Sequence, residues 1–263
     1  MFGTLVDVKS ATPRHIHSAA PQFATTRWSL ILNQRFSDGE SSAPDGLAQL
    51  CQIYWRPIFA FICRQGYPAL DAQDLTQDFF VTILEGKLFT SAHPDRGRFR
   101  CFLLKSLKNF LIDTQKSRRR HKRGGHINFV SWDQWMAEAP SQLLVSVRAL
   151  ESCSAETVFD FRWAANVAER ALLRLRSECE NRGHRRIYEI LREHLTADRT
   201  EISYARLAEV MGVSAVVVKK LLHDFRMRYR RLLREEVAVT IENEADVDQE
   251  IRYLCTVLSS FAA

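Results

Sequence analysis

Apolar residues in this chain recur mostly at steps of three and four, the spacing of a helix that buries one side. In DAQDLTQDFFVTIL (71–84), Ala72, Leu75, Phe79 and Ile83 fall on one face, while Asp74, Gln77, Asp78 and the following Glu85 fall on the other. In RGRFRCFLLKSLKNFLIDTQKSRRR (96–120), the apolar side is Phe99, Phe102, Leu103, Leu107, Phe110 and Leu111. Helical spacing also runs through TTRWSLIL, with Thr25 or Thr26 as cap, and through LAQLCQIYWRPIFAFICRQGY, where Pro57 predicts a kink or a boundary. It resumes in FDFRWAANVAERALLRLRSECE and RRIYEILREHL. Between these lie FSDGESSAPDG and TSAHPDRGR, both rich in turn formers, and KRGGHINFVSWDQWMAEAPSQ, which has a glycine pair and no sustained period. Its aromatics, Phe129, Trp132 and Trp135, are expected to pack back on what precedes them.

The pattern predicts an all-α protein of two helical domains, 23–123 and 159–234, joined by a linker over 124–158. Residues 1–22 read as disordered, and 235–263 as an acidic helical tail. Composition agrees: 46% of the 263 residues are hydrophobic, enough for a core or for two smaller ones, while ten glycines and seven prolines are too few for a turn-rich β protein. No apolar run approaches the roughly 18 residues of a membrane span, and the N-terminus lacks an apolar signal core, so a cytoplasmic protein is expected. The six cysteines form no CxxC pair and are expected to be reduced and buried. His15 and His17 read as part of a solvated tail, and neither a metal nor a cofactor is called for.

Charge changes the picture. The net +6 is uneven: residues 96–123 hold eleven Lys/Arg against Asp113, residues 204–234 hold eight against Glu209 and Asp224, and residues 235–263 hold seven acids against Arg252. Two basic blocks suggest a polyanion held at two places. The acidic tail is a candidate to fold over the second block and hold it off nucleic acid.

ISYARLAEVMGVSAVVVKKLLHDFRMRYRRLL has the shape of a helix-turn-helix. Ser203 is placed to cap the first helix, with Leu207, Ala208 and Met211 inward and Gly212 at the turn. Val213 is expected to plug the gap between the helices, Ser214 to cap the second, and Val218 and Leu221 to face the core. That leaves Ala215, Val216, Lys219, Lys220 and His223 outward, as on a helix that enters a major groove, with Arg226, Arg228, Arg230 and Arg231 extending the basic surface. In the central block, Arg98, Lys105, Lys108, Asn109, Lys116 and the run Arg118, Arg119, Arg120 lie mostly off the apolar side, which suits a single-strand or strand-separating surface. On the acidic helix, Asp71 reads as an N-cap and Asp74 as a first-turn acid. Gln77 and Asp78 lie too far along for either role.

Taken in order, these segments resemble the bacterial RNA polymerase sigma factors of the sigma-70 family, extracytoplasmic-function (ECF) subfamily. DAQDLTQDFFVTIL is similar to the family's region 2.2, FLLKSLKNFLIDTQKSRRR to regions 2.3 and 2.4, and SYARLAEVMGVSAVVVKKLLHDFRMRYRRLL to region 4.2. The resemblance implies a protein that binds core RNA polymerase and directs promoter recognition, DNA melting and initiation. It implies that Asp74, Gln77 and Asp78 dock on the clamp helices of the polymerase β′ subunit, with the β flap as a further contact and an anti-sigma protein as a further partner. It assigns Lys105, Lys108, Asn109, Lys116, Arg118, Arg119 and Arg120 to the minus-10 element. It assigns Ser214, Ala215, Val216, Lys219, Lys220, His223 and Arg226 to the minus-35 element.

Three positions depart from the family's habit: Phe102 for a tryptophan, Val217 for a threonine and Asp224 for an arginine. An ordinary helix-turn-helix regulator that binds DNA without polymerase is the alternative. It leaves Asp74, Gln77, Asp78 and Asn109 without a role. A nuclease needs clustered carboxylates or histidines by the basic surface, where Asp113 stands nearly alone, so no enzymatic activity is expected.

Overall fold

The computed structural model describes residues 43–85, 98–118, 152–241 and 244–261. They form α1 (Ala43–Arg64), α2 (Ala69–Leu84), α3 (Phe99–Arg118), α4 (Ala155–Asn181), α5 (Arg185–Leu191), α6 (Tyr204–Met211), α7 (Ala215–Ala238) and α8 (Val247–Ser259). Single 3-10 turns occupy Arg192–His194 and Glu244–Asp246, and there is no strand among the described residues. The expectations for residues 1–22 with His15 and His17, for the TTRWSLIL helix and for 124–151 with Phe129, Trp132 and Trp135 lie outside the described residues.

Pro57 neither ends nor interrupts α1, which continues to Arg64. Proline has no N–H, so the carbonyl four residues earlier, that of Ile53, loses its helical donor. Asn166 of α4 makes up the deficit: its side-chain amide donates to the carbonyls of both Gln52 and Ile53 at 2.8 Å. An isolated asparagine so deep in a helix contact would cost free energy, but here it satisfies carbonyls and fixes α4 against α1. At α2 the N-cap is Pro68, so Asp71 is a first-turn acid rather than the cap, and Asp74 lies beyond that turn. α4 starts at Ala155, four residues before the expected Phe159, because Ser154 caps it by accepting from the Thr157 amide at 3.1 Å.

Buried side chains from all eight helices join one large apolar cluster, from Ile53 and Phe61 of α1 through Trp163 and Leu175 of α4 to Leu254 of α8, with a small second cluster of Val158, Phe161 and Ala165 on α4. α4 is the spine of the large one: it makes its most extensive contact with α1 and its next with α7. Arg170 ties all three together, donating to Gln52 of α1 at 2.8 Å and to Glu236 of α7 at 2.7 Å. α3 enters through rings, with Phe99 edge-on to Tyr54 of α1 and Phe110 against Phe79 of α2, both at 5.4 Å.

The tail is helical as expected, but α8 is core rather than cover. Val247 and Leu254 are buried, and α8 packs on α4 and α7. Its Glu250 lies inside, held by Arg98 at 2.9 Å and Arg100 at 2.6 Å, both from the α3 end of the chain. Arg100 also bonds Asp160 at 2.7 Å and lies over the Tyr253 ring, 4.0 Å from its centroid. Burial works against its charge, but Glu250 and Asp160 prevail and hold the guanidinium above its ordinary pKa. Burial, then the bond it donates to Asp160, pushes the Tyr253 hydroxyl up to about 12. Of the other tail acids, Glu235 and Asp248 pair with Arg231 and Arg234 of α7 and Glu236 with Arg170 and Arg174 of α4, and among the described residues none pairs with Lys219, Lys220 or His223.

Of the six free cysteines only Cys179 is buried, while Cys101 and Cys255 are exposed, contrary to the expectation of buried thiols. Among the described residues no helix is long and apolar enough to cross a membrane, and no cluster of His, Cys, Asp or Glu is placed to hold a metal ion.

Candidate nucleic-acid and partner-docking faces

The helix-turn-helix forms from α6 and α7. Gly212 ends α6 in the left-handed region at φ +69, and the Val213 amide then closes back on the Ala208 carbonyl at 3.1 Å. Ser203 occupies the N-cap of α6 without a side-chain bond to the helix, whereas Ser214 accepts from the Val217 amide at 3.4 Å and caps α7. Leu207 and Val218 are buried, and Ala208, Met211 and Leu221 pack against the core, as the spacing predicts. Val213 does not plug the gap between the helices: it is 38% exposed. The buried side chains at this end of the pair are Leu207, Val218 and Leu222.

The outer face of α7 carries Val216, Lys219, Lys220 and His223, all exposed, with Ala215 half-buried. Beside it is a cleft of about 560 Å³, lined by Arg199, Tyr204, Lys219, His223, Met227 and Arg230 among others and by no acid. Lys219 lies over the Tyr204 ring at 5.2 Å. Among the described residues, Arg199, Lys219, Lys220, His223 and Arg230 have no ion-pair partner. Gathered cations without counter-charges repel one another, and an approaching polyanion relieves that repulsion. Arg226, expected on this face, is turned to a structural job: its Nη2 donates to the carbonyls of His194 at 2.7 Å and Ala197 at 2.6 Å, so it anchors the segment leading to α6. Arg231 is likewise occupied, bonding Glu178 and Glu235 at 2.7 Å each.

On α3, Lys105, Asn109 and Lys116 are exposed and fall on one stripe at steps of four and seven. Lys108 is half-exposed at its edge and pairs with Glu156 at 2.7 Å. That lysine, and the backbone amide of its own first turn, hold the Glu156 carboxyl below its ordinary pKa. Lys116 is 3.5 Å from Asp113 one turn back. Arg118 ends the helix, and Arg119 and Arg120 lie outside the described residues.

On α2, Asp74 and Asp78 are exposed and Gln77 is half-buried, opposite the buried Ala72, Leu75, Phe79 and Ile83. The helix therefore presents an acidic face, on an element separate from both basic ones.

Several residues on these faces escaped the sequence reading. Ile112 is exposed within the α3 stripe, three residues beyond Asn109, and Leu70 is 77% exposed at the head of the acidic face, four before Asp74. Periodicity alone points to both, once apolar residues are not assumed to face inward. Arg199 and Tyr204 reach the cleft from outside α7, and no helical period joins them to it. A comparison of the chain with family models, curated proteins and solved structures found no match.

Proposed function

We propose that this protein is a sigma factor of the ECF type, which binds core bacterial RNA polymerase and directs promoter recognition, melting and initiation. The observation that carries the reading is a division of charge. One helix offers an exposed acidic face with Asp74 and Asp78, while another offers Lys219, Lys220 and His223 with no acid paired to them. A protein that must grip both a polymerase and DNA needs faces of opposite sign on different elements, because a mixed face would bind neither well. The α3 stripe of Lys105, Asn109 and Lys116 supplies a third contact, with polar and cationic groups for an opened strand. Arg226 supports α6 and α7 in this reading instead of touching DNA.

The test is a pull-down with purified core bacterial RNA polymerase, comparing the wild type with a variant carrying alanine for Asp74, Gln77 and Asp78. Binding by the wild type and loss in the variant is the expected result. If both bind, the docking face lies elsewhere. If the wild type binds duplex DNA and no core enzyme, the polymerase-independent regulator replaces the sigma reading.

A further inference from the structure

We propose that the first turns of α7 identify thymine by its C5-methyl group, with Val216 as the contact and Val213 and Val217 beside it. This rests on the promoter-DNA reading and adds what that face recognises. Base readout in a major groove uses either hydrogen bonds to base edges or apolar contact with the thymine methyl. The start of α7 lacks the first option. Ala215, Val216, Val217 and Val218 have no polar side-chain atom, and the one hydroxyl there, on Ser214, caps the helix. The second option is on display: Val216 is 76% exposed, Val217 42% and Val213 38%. One exposed valine is unremarked on a protein surface. Three at the tip of a recognition helix, at steps of three and four, make an apolar end to a face that is otherwise cationic.

The neighbouring charges select the occupant. One turn on, Lys219 and Lys220 are exposed and unpaired, and the acid-free cleft with Arg199 and Arg230 adjoins them. A second copy docked here through a two-fold axis would set these cations against themselves. A duplex brings phosphates to the cations and methyls to the valines in one approach. The sole acid of α7 between Ala215 and Arg234 is Asp224, which is half-buried.

The experiment uses the full chain and a random pool of duplexes of about 20 base pairs, two helical turns. The tightest-binding duplex is remade with deoxyuridine in place of each thymine in turn, which removes the methyl and keeps every hydrogen bond. For the wild type, affinity is expected to fall about fourfold at one or two adjacent positions, the worth of one buried carbon. V216A is expected to bind thymine and uracil equally at those positions. Because Val216 is exposed, that variant keeps its fold, and its helical signal is checked alongside. Equal affinity for every deoxyuridine duplex overturns the proposal while leaving DNA binding intact, and so does discrimination that survives in V216A. A dimer that V216A abolishes, with no methyl effect, gives the patch to a second copy instead. If neither core polymerase nor any duplex is bound, the functional reading has failed and this proposal falls with it.

Discussion

α3 and α7 are both basic helices, and they use their charge in opposite directions. At the start of α3, Arg98 and Arg100 turn inward to Glu250 and Asp160, and Lys108 is tied to Glu156. At the start of α7, Lys219 and Lys220 turn outward and have no ion-pair partner among the described residues. Among the described side chains of the α3 block, Lys105 and Lys116 are the cations that stay exposed, and Lys116 lies near Asp113. α7 repeats the contrast within itself, since Arg231 and Arg234 near its end are paired with acids. Net charge along a sequence counts cations, and binding depends on which of them the fold leaves without a partner.

The contrast can be broken at its inward end first. Arg100→Met takes the shared cation from buried Glu250, which keeps Arg98, and from half-buried Asp160, and urea unfolding is expected to show a loss of about 3 kcal/mol, the low end for a broken buried pair. A neutral result would put that arginine on the same footing as the outward lysines. Next in size is Asn166→Ala, which strips the donor from two carbonyls and is expected to cost about 1–3 kcal/mol by the same measurement. Gly212→Ala meets no atom within 4 Å, so only the left-handed backbone opposes it, at about 1–2 kcal/mol in thermal unfolding. Smallest in stability is the double change of Lys219 and Lys220 to alanine, expected within about 0.5 kcal/mol of wild type. Its effect is on binding: the slope of log affinity against log salt should shrink by about 0.9 for each phosphate contact removed. A stability loss as large as that of Arg100→Met would erase the difference between the two helices.

The helices themselves were legible because spacing and capping are local: Gly212, Ser214 and Val218 take the turn, cap and core positions that their types predict. The acidic face of α2 was legible for the same reason. What the sequence hid is everything decided at long range. Pro57 looked like a break because its remedy, Asn166, stands more than a hundred residues away. Arg226 had the spacing of a DNA contact, and only the fold reveals the carbonyls of His194 and Ala197 beneath it. The large shared core was hidden likewise: α4 has apolar residues to serve two neighbours, and no local pattern says that both are used at once.

The Arg100–Glu250 bond joins residues 150 positions apart, and Glu250 sits in the last helix. On a ribosome adding about 5–20 residues per second, the carboxylate follows its guanidinium by roughly 8 to 30 s. α4 begins within the first half of that interval and can cover the apolar faces of α1 and α2, but the cationic group of Arg100 waits for Glu250 to the end of it. Native contacts of such reach are slow to form, because a long loop has to close before they contribute. α8 is therefore the piece whose arrival closes the α4–α7 surface and gives the Arg98 and Arg100 guanidiniums their buried carboxylate.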